Sequence, residues 1–243
     1  MRINRIFVDA PLAPAASLEL PPEQTHHLAR VLRARVGQKV NLFNGTGGYF
    51  VAEITAIQKR SLSVQLLEHV PDPAAGSKSI HLAQCISRGS HMDYTIQKAT
   101  ELGVAGITPL FSENGNVRLS GQALEKKRMH WRQVMISACE QCGRNRLPDL
   151  AAPVAFADWI VSGGPGTRLL LHPAATMSLA ALKPDPASVT IISGPEGGLS
   201  EAETDLAQQQ GCVAVNLGPR VLRTETAALA AVSIAQALWG DMG

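Results

Sequence analysis

The sequence predicts an α/β protein: a small β-rich module in front of a larger parallel sheet covered by helices. Three observations carry that expectation. Between residues 39 and 67, short runs such as "KVNLF" and "SLSVQLL" alternate or are apolar throughout, and "NGTGG" breaks them. Beyond the Pro-, Gly- and Ser-rich stretch "VPDPAAGSKS", apolar runs alternate with helical segments, the pattern of a parallel sheet with crossover helices. Three of the later apolar runs then stop abruptly at Gly or Pro, in "LLLHP", "TIISGPEGG" and "VAVNLGPR".

Taken in order, "EQTHHLARVLR" places His27, Leu28, Val31 and Leu32 at helical intervals. "KVNLF", "NGTGG" and "YFVAEITAI" form a hairpin with a glycine-rich turn, and "SLSVQLL" adds a strand. A module of about seventy residues results, with residues 70–79 as a linker. After it come the strand "IHLAQCI", the helix "SHMDYTIQKATELG" and the strand "GITPLF", then the strands "TRLLL", "VTIIS" and "VAVNLG". Two helix starts fit the Ser-x-x-acid capping pattern, Ser90 with Asp93 and Ser200 with Glu203.

Composition narrows the function classes. The chain has 243 residues, 45% hydrophobic and 17% charged, which is globular rather than disordered. No apolar run is long enough to span a bilayer, and "MRINRIFVDAPL" lacks the core of a signal peptide, so a cytoplasmic location is expected. Of the four cysteines, Cys139 and Cys142 form a lone C-x-x-C. With no second pair to complete a tetrahedral site, they are expected on one face of a helix rather than on a metal. The net charge of +2 is unevenly spread: from Arg118 to Arg146 there are seven Lys/Arg against Glu125 and Glu140. Such a stripe fits either a phosphate backbone or a solvated helix face.

Ligands of open α/β sheets bind beyond the carboxyl ends of the strands. His172-Pro173, the turn Gly194 to Gly198, and Leu217 to Arg220 all fall at such ends. Neither a P-loop nor a G-x-G-x-x-G fingerprint is present, so a pocket of main-chain groups suits a purine edge better than a triphosphate. In "LRTETAAL", Arg220 and Arg223 precede a small-residue helix that Thr224 is placed to cap. A cation at that positive end needs an anionic partner, Glu225 or a bound anion.

"SGPEGGLSEAE" and "LGPRVLRTETAAL", with "IQKATELGV" and "ACEQCGRNRLP" upstream, closely resemble the bacterial 16S ribosomal RNA uridine-N3 methyltransferases of the RsmE family, in the SPOUT superfamily. At the front, "RIF" and "HHLARVLR" look like that family's PUA-like RNA-binding module. The resemblance implies a PUA-like β-barrel over residues 1–72 and a SPOUT methyltransferase domain over 73–243, whose C-terminal segment makes a trefoil knot. It also implies that the knot loops hold S-adenosyl-L-methionine, with no metal. The residues so implicated are Leu171, His172 and Pro173, then Gly194, Pro195, Glu196, Gly197 and Gly198. Leu217, Gly218, Arg220 and Leu222 follow, with Arg223, Thr224, Thr226 and Ala227 at the start of the last helix. His91 and Asn114 depart from the family's pattern, which has Lys or Arg at the first and commonly "ER" at the second.

The implied reaction moves a methyl group to uridine N3, whose proton must be removed. Glu225 is the expected acid/base, Arg223 the stabiliser of charge on the neighbouring carbonyl oxygens, and Glu101 the alternative base. RNA contacts are expected from Arg5, His27, Arg30, Arg33 and Arg144, and from Arg88, Lys98, Lys126, Lys127, Arg128 and Arg132. The partner expected is the 16S rRNA of the small ribosomal subunit. A homodimer is expected too, because "TAALAAVSIAQALW" is apolar around much of its circumference, including Ala227, Ala228, Ala231, Ile234, Ala235, Leu238 and Trp239.

Overall fold

The computed structural model describes residues 3–72, 79–182 and 188–242. The chain divides into two compact units, Met1–Ala75 with Cys139–Leu147, and Gly76–Ala138 with Pro148–Gly243. Most of the expected linker lies outside the described residues.

The first unit is a five-stranded sheet. Its strands are β1 (Arg5–Phe7), β2 (Ser17–Leu20), β3 (Lys39–Phe43), β4 (Tyr49–Ile57) and β5 (Leu62–Val70), in the order β1-β3-β4-β5-β2. The hairpin β3–β4 forms as expected, and its turn places Gly45, Gly47 and Gly48 at positive φ, where glycine costs least. Period-two alternation turns Phe50, Ala52 and Ile54 of β4 and Leu62, Val64 and Leu66 of β5 to one buried face. Ile6, Leu20 and Leu28 close that core. The expected helix over residues 23–33 is only partly α-helical. A short α1 (Pro22–His26) gives way to a widened π-helical turn, His27–Val31, in which Leu32 donates its N–H to the His27 carbonyl.

Residues 139–147 join this unit through polar contacts that no local pattern announces. The Glu140 carboxylate accepts the Phe7 N–H at 3.0 Å, Arg5 donates to Asn145, and Leu147 donates to the Gly45 carbonyl at 3.2 Å. Burial pushes the Glu140 carboxyl above its ordinary value, and the Phe7 N–H only partly offsets this. Cys139 and Cys142 end a helix, as expected: Cys139 is buried, its thiol pushed up to about 12 chiefly by burial, and Cys142 is exposed.

The second unit is a parallel sheet. Its elements are β6 (Ser79–Cys85), α2 (His91–Glu101), β7 (Gly106–Phe111), α3 (Gly121–Cys142, whose last four residues are counted with the first unit), β8 (Asp149–Leu150), β9 (Val154–Ala155) and α4 (Phe156–Ser162). β10 (Thr167–Leu171), β11 (Ser188–Ser193), α5 (Glu201–Gln209), β12 (Val213–Val215) and α6 (Thr224–Trp239) follow. The strand order is β12-β10-β11-β6-β7-β8, with β9 also paired to β7. All these pairs are parallel. Phe156, Trp159 and Ile160 of α4 and Ala207 of α5 pack on Ala83, Leu110, Leu170 and Ile192 of the strands. Helix α6 packs on β6, β11 and α2.

Two expectations are corrected here. Ser200 and Glu203 form a complete capping box, but the Ser90 side chain caps nothing. Asp93 is drawn to α3 instead: its carboxylate accepts from Lys127 Nζ at 2.9 Å and Trp131 Nε1 at 3.1 Å, and contacts His130 Nε2 at 2.7 Å. Three donors outbid one backbone N–H. Second, Ala228, Ala231 and Ala235 of α6 are wholly buried within the chain. The sheet and α2 cover this part of the helix surface, which was counted among the apolar residues expected to need a second copy.

Burial raises the Asp93 carboxyl, yet the hydrogen bonds from His130 and Lys127 more than offset it and hold the group below its ordinary value. A depressed carboxyl stabilises the fold above the unfolded pKa of about 4 and loses that contribution as pH falls through the lower folded value. Asp93→Asn is therefore expected to cost about 1–2 kcal/mol at neutral pH in urea unfolding. The difference should shrink as pH falls below about 4. An equal loss at both pH values would show that the carboxylate charge plays no part.

Candidate functional site

Because β10, β11 and β12 are parallel neighbours, their carboxyl ends share one side of the sheet. Three loops leave those ends, and a cavity of about 610 Å³ lies among them. Strand β10 contributes Leu171, and His172 and Pro173 follow it. The end of β11 contributes Ser193, Gly194, Pro195, Glu196, Gly198 and Leu199. The end of β12 contributes Val215, Asn216, Leu217 and Gly218, and the approach to α6 contributes Arg220, Val221, Leu222 and Arg223. Thr224, Glu225 and Ala227 of α6 and His91 of α2 complete the wall.

Each loop is shaped by its own hydrogen bonds. The Gly198 N–H closes a turn on the Pro195 carbonyl at 2.9 Å, with φ of +73° at Gly198. Gly218, at φ +98°, donates to the Asn216 side chain at 3.0 Å. A Cβ at either glycine would meet nothing within 4 Å, so these positions leave open space as well as permitting the turn. Asn216 also donates through Nδ2 to the Ala175 carbonyl at 2.6 Å, tying the β12 loop to the β10 loop. The "GPEGG" loop is held from outside: Glu196 accepts the Arg88 N–H at 3.1 Å, and Asn114 Nδ2 donates to the Gly198 carbonyl at 3.2 Å. Buried Glu203 accepts both the Ser200 N–H and the Glu113 N–H.

Thr224 ties α6 to the sheet. Its hydroxyl donates to the Gly194 carbonyl at 2.5 Å and accepts from Gln84 Nε2 at 3.1 Å. Gln84 is wholly buried in β6, and Ser193 lies beside it across the β6–β11 ladder. The Ser193 hydroxyl donates to the Thr224 carbonyl at 3.4 Å. Thr224 does not act as the cap expected of it; Arg223 is the N-cap, with no side-chain capping bond.

Of the sequence-predicted cofactor residues, all but Gly197 and Thr226 line the cavity. Glu225 and Arg223 line it as well; Glu101 does not, and its carboxylate pairs with Lys98 at 2.8 Å near the other end of α2. Glu225 is not paired with Arg223. Its ion-pair contact is His91, whose Nδ1 is 3.2 Å from Oε1. Sequence reading missed Ser193, Leu199, Val215, Asn216 and Val221 as wall residues, although each sits inside or beside a motif that was singled out. Gln84 gave a fainter signal, an amide inside the apolar run "IHLAQCI".

The basic residues divide by exposure. In the first unit His27, Arg30 and Arg33 are exposed. Arg5 is half-buried, stacked over Phe43 and Tyr49, and burial lowers its pKa; Arg144 is also half-buried. In the second unit Arg88 and Lys126 are exposed and Arg132 is half-covered. Lys127 is engaged by Asp93, Lys98 by Glu101, and Arg128 lies 4.0 Å from Glu125.

Residues 75–236 match the model of an RNA methyltransferase domain, and residues 20–67 match that of an RNA methyltransferase PUA domain. A curated relative from Buchnera aphidicola, named ribosomal RNA small subunit methyltransferase E, is 36% identical over 99% of this chain and 98% of its own. A methyltransferase from Legionella pneumophila, solved with the cofactor S-adenosylmethionine bound, superposes with a TM-score of 0.93 at 40% identity, covering 98% of each chain. The ribosomal RNA small subunit methyltransferase E of Neisseria gonorrhoeae, solved with S-adenosyl methionine, gives 0.91 at 34% identity over the whole of both chains.

Replacing Thr224 by Val keeps its shape but removes its hydroxyl, leaving the Gly194 carbonyl and one Gln84 N–H without this partner. A loss of about 1–3 kcal/mol in chemical unfolding is expected, with Thr224→Ser close to wild type. A Val variant as stable as wild type would show that the network contributes nothing.

Proposed function

Because the chain belongs to the RNA methyltransferase family whose curated members are named ribosomal RNA small subunit methyltransferase E, we propose that it methylates N3 of a uridine in 16S ribosomal RNA of the small subunit, using S-adenosyl-L-methionine. The observation that carries this reading is the cavity at the strand ends, which gathers almost every predicted cofactor residue. Its size suits a small cofactor, and Leu171, Leu217 and Leu222 supply apolar wall beside main-chain turns at Gly194, Gly198 and Gly218. When bound, S-adenosyl-L-methionine supplies a methyl group on a positively charged sulfur. Around it, Glu225 takes the imide proton of the target base, and Arg223 offsets negative charge developing on the adjacent carbonyl oxygens. The transfer would require N3 in line with the methyl carbon, and the cavity wall is where the base would have to be held.

The reading extends to architecture. The C-terminal segment forms the trefoil knot, a reading supported by a central β11, an outer β12 and the return of α6 onto β6 and β11. A crystallographic trace with this segment passing outside the loop would overturn that part. The PUA-like module spans residues 1–72 and forms a barrel; its exposed Arg30 and Arg33 contact RNA phosphates. The enzyme acts in the cytoplasm as a homodimer, each site using both chains. Val221, 84% exposed beside the cavity, and Leu238 on α6 remain as apolar surface for the second copy. Light scattering that gives a fully active monomer would remove the dimer.

The defining experiment incubates the purified protein and the cofactor with small subunits from a strain lacking the gene, then analyses the digested RNA by mass. A methyl group on uridine N3 is expected, and one on a ribose oxygen, on transfer RNA only, or none at all would overturn the reading. Gly198→Val should abolish the product and weaken cofactor binding in calorimetry, since a branched residue is strained at φ +73° and fills the open space. RNA affinity should fall with rising salt, and neutralising Arg30 and Arg33 together should lessen the log–log slope by up to about 2. An unchanged slope and affinity would make the pair a solvated surface.

A further inference from the structure

His91 opens α2 and belongs to the cavity wall. Its Nδ1 lies 3.2 Å from Oε1 of Glu225, and the two side chains differ in access to water, 46% exposed for His91 against 12% for Glu225. Among the described residues, Glu225 has no other ion-pair or hydrogen-bond partner. Its second oxygen is thus left open, and it is not sealed from the cavity.

We infer that His91 is a positioning residue: it engages Oε1 of Glu225 so that Oε2 remains to take the imide proton, an assignment that rests on Glu225 acting as the base. The proton passes from N3 to Oε2 as the N3 lone pair bonds the methyl carbon. The carbon–sulfur electron pair stays on sulfur, and His91 gains and loses no atom. A mostly buried carboxylate is poorly hydrated, so its orientation depends on the one polar side chain it touches.

The other charged groups around the cavity are Glu196, Arg220 and Arg223, with Arg88 in the loop before α2. None of them pairs with Glu225. On α2 itself, Asp93 is committed to Lys127 and His130. His172 accepts the Ala174 N–H through Nδ1. The side chain that engages Glu225 is therefore His91.

His91→Ala is expected to lower kcat about fivefold, the scale of a half-exposed ion pair, with KM for S-adenosylmethionine unchanged. His91→Asn, whose amide can stand where Nδ1 stands, should restore most of the lost kcat. A His91→Ala enzyme with wild-type kcat, or a His91→Asn enzyme no faster than His91→Ala, would overturn the inference. Glu225→Gln separates the two levels: it should cost on the order of a hundredfold or more, and His91→Ala in that background should add nothing. Full activity of Glu225→Gln would remove the base itself. An inactive Glu225→Gln whose residual rate falls a further fivefold with His91→Ala would leave the base in place and remove the positioning role.

Discussion

Thr224 has one hydroxyl hydrogen, and it goes to the carbonyl of Gly194. That bond fixes the first turn of α6 against the end of β11, while the Gln84 amide holds the same oxygen from β6. Around it, three strand ends and one helix start have to stay in register for the cavity to exist. In an apolar parallel sheet, a buried glutamine is costly unless bonded, and each bond it makes is correspondingly hard to break. Rigidity under the cavity and open space within it thus have separate sources. Thr224, Ser193 and Gln84 give the first; Gly198 and Gly218 give the second.

Holding the "GPEGG" turn in place takes more than its own Gly198–Pro195 bond. Arg88 donates from the β6–α2 loop, and Glu113 and Asn114 attach it through Glu203 and the Gly198 carbonyl. The β6–α2 loop contributes one such contact and the loop after β7 two. A loop with three glycines in five residues loses much entropy on ordering. Those external contacts are what offset that loss, so the turn is ordered by its neighbours rather than by its own sequence.

This division explains what the sequence made legible. Strands β4 and β5 alternate because one face is buried, and the pattern is local, so period two reveals them. The wall of the cavity was legible for a similar reason: positive φ and strand termination demand Gly and Pro at fixed places. Pairings across many residues left no such mark. Asp93 looks like a capping acid until Lys127, His130 and Trp131 arrive from α3. Ala231 looks available for a partner until α2 and the sheet cover it. Residues 139–147 carry no periodicity that assigns them to the first unit.

Charge at the start of α6 follows the same logic. The positive end of a sixteen-residue helix disfavours cations, yet Arg220 and Arg223 both stand there, exposed and beside the cavity. The nearby carboxylate that would be expected to neutralise Arg223 belongs instead to His91. With Glu225 engaged by an imidazole, the two guanidinium groups have no acidic partner among the described residues, although Glu196 also lines the cavity. Two exposed guanidinium groups of this kind can meet a phosphate, while the partly apolar pocket selects by shape. The arrangement places them within a few residues of the group proposed to take the proton of the base.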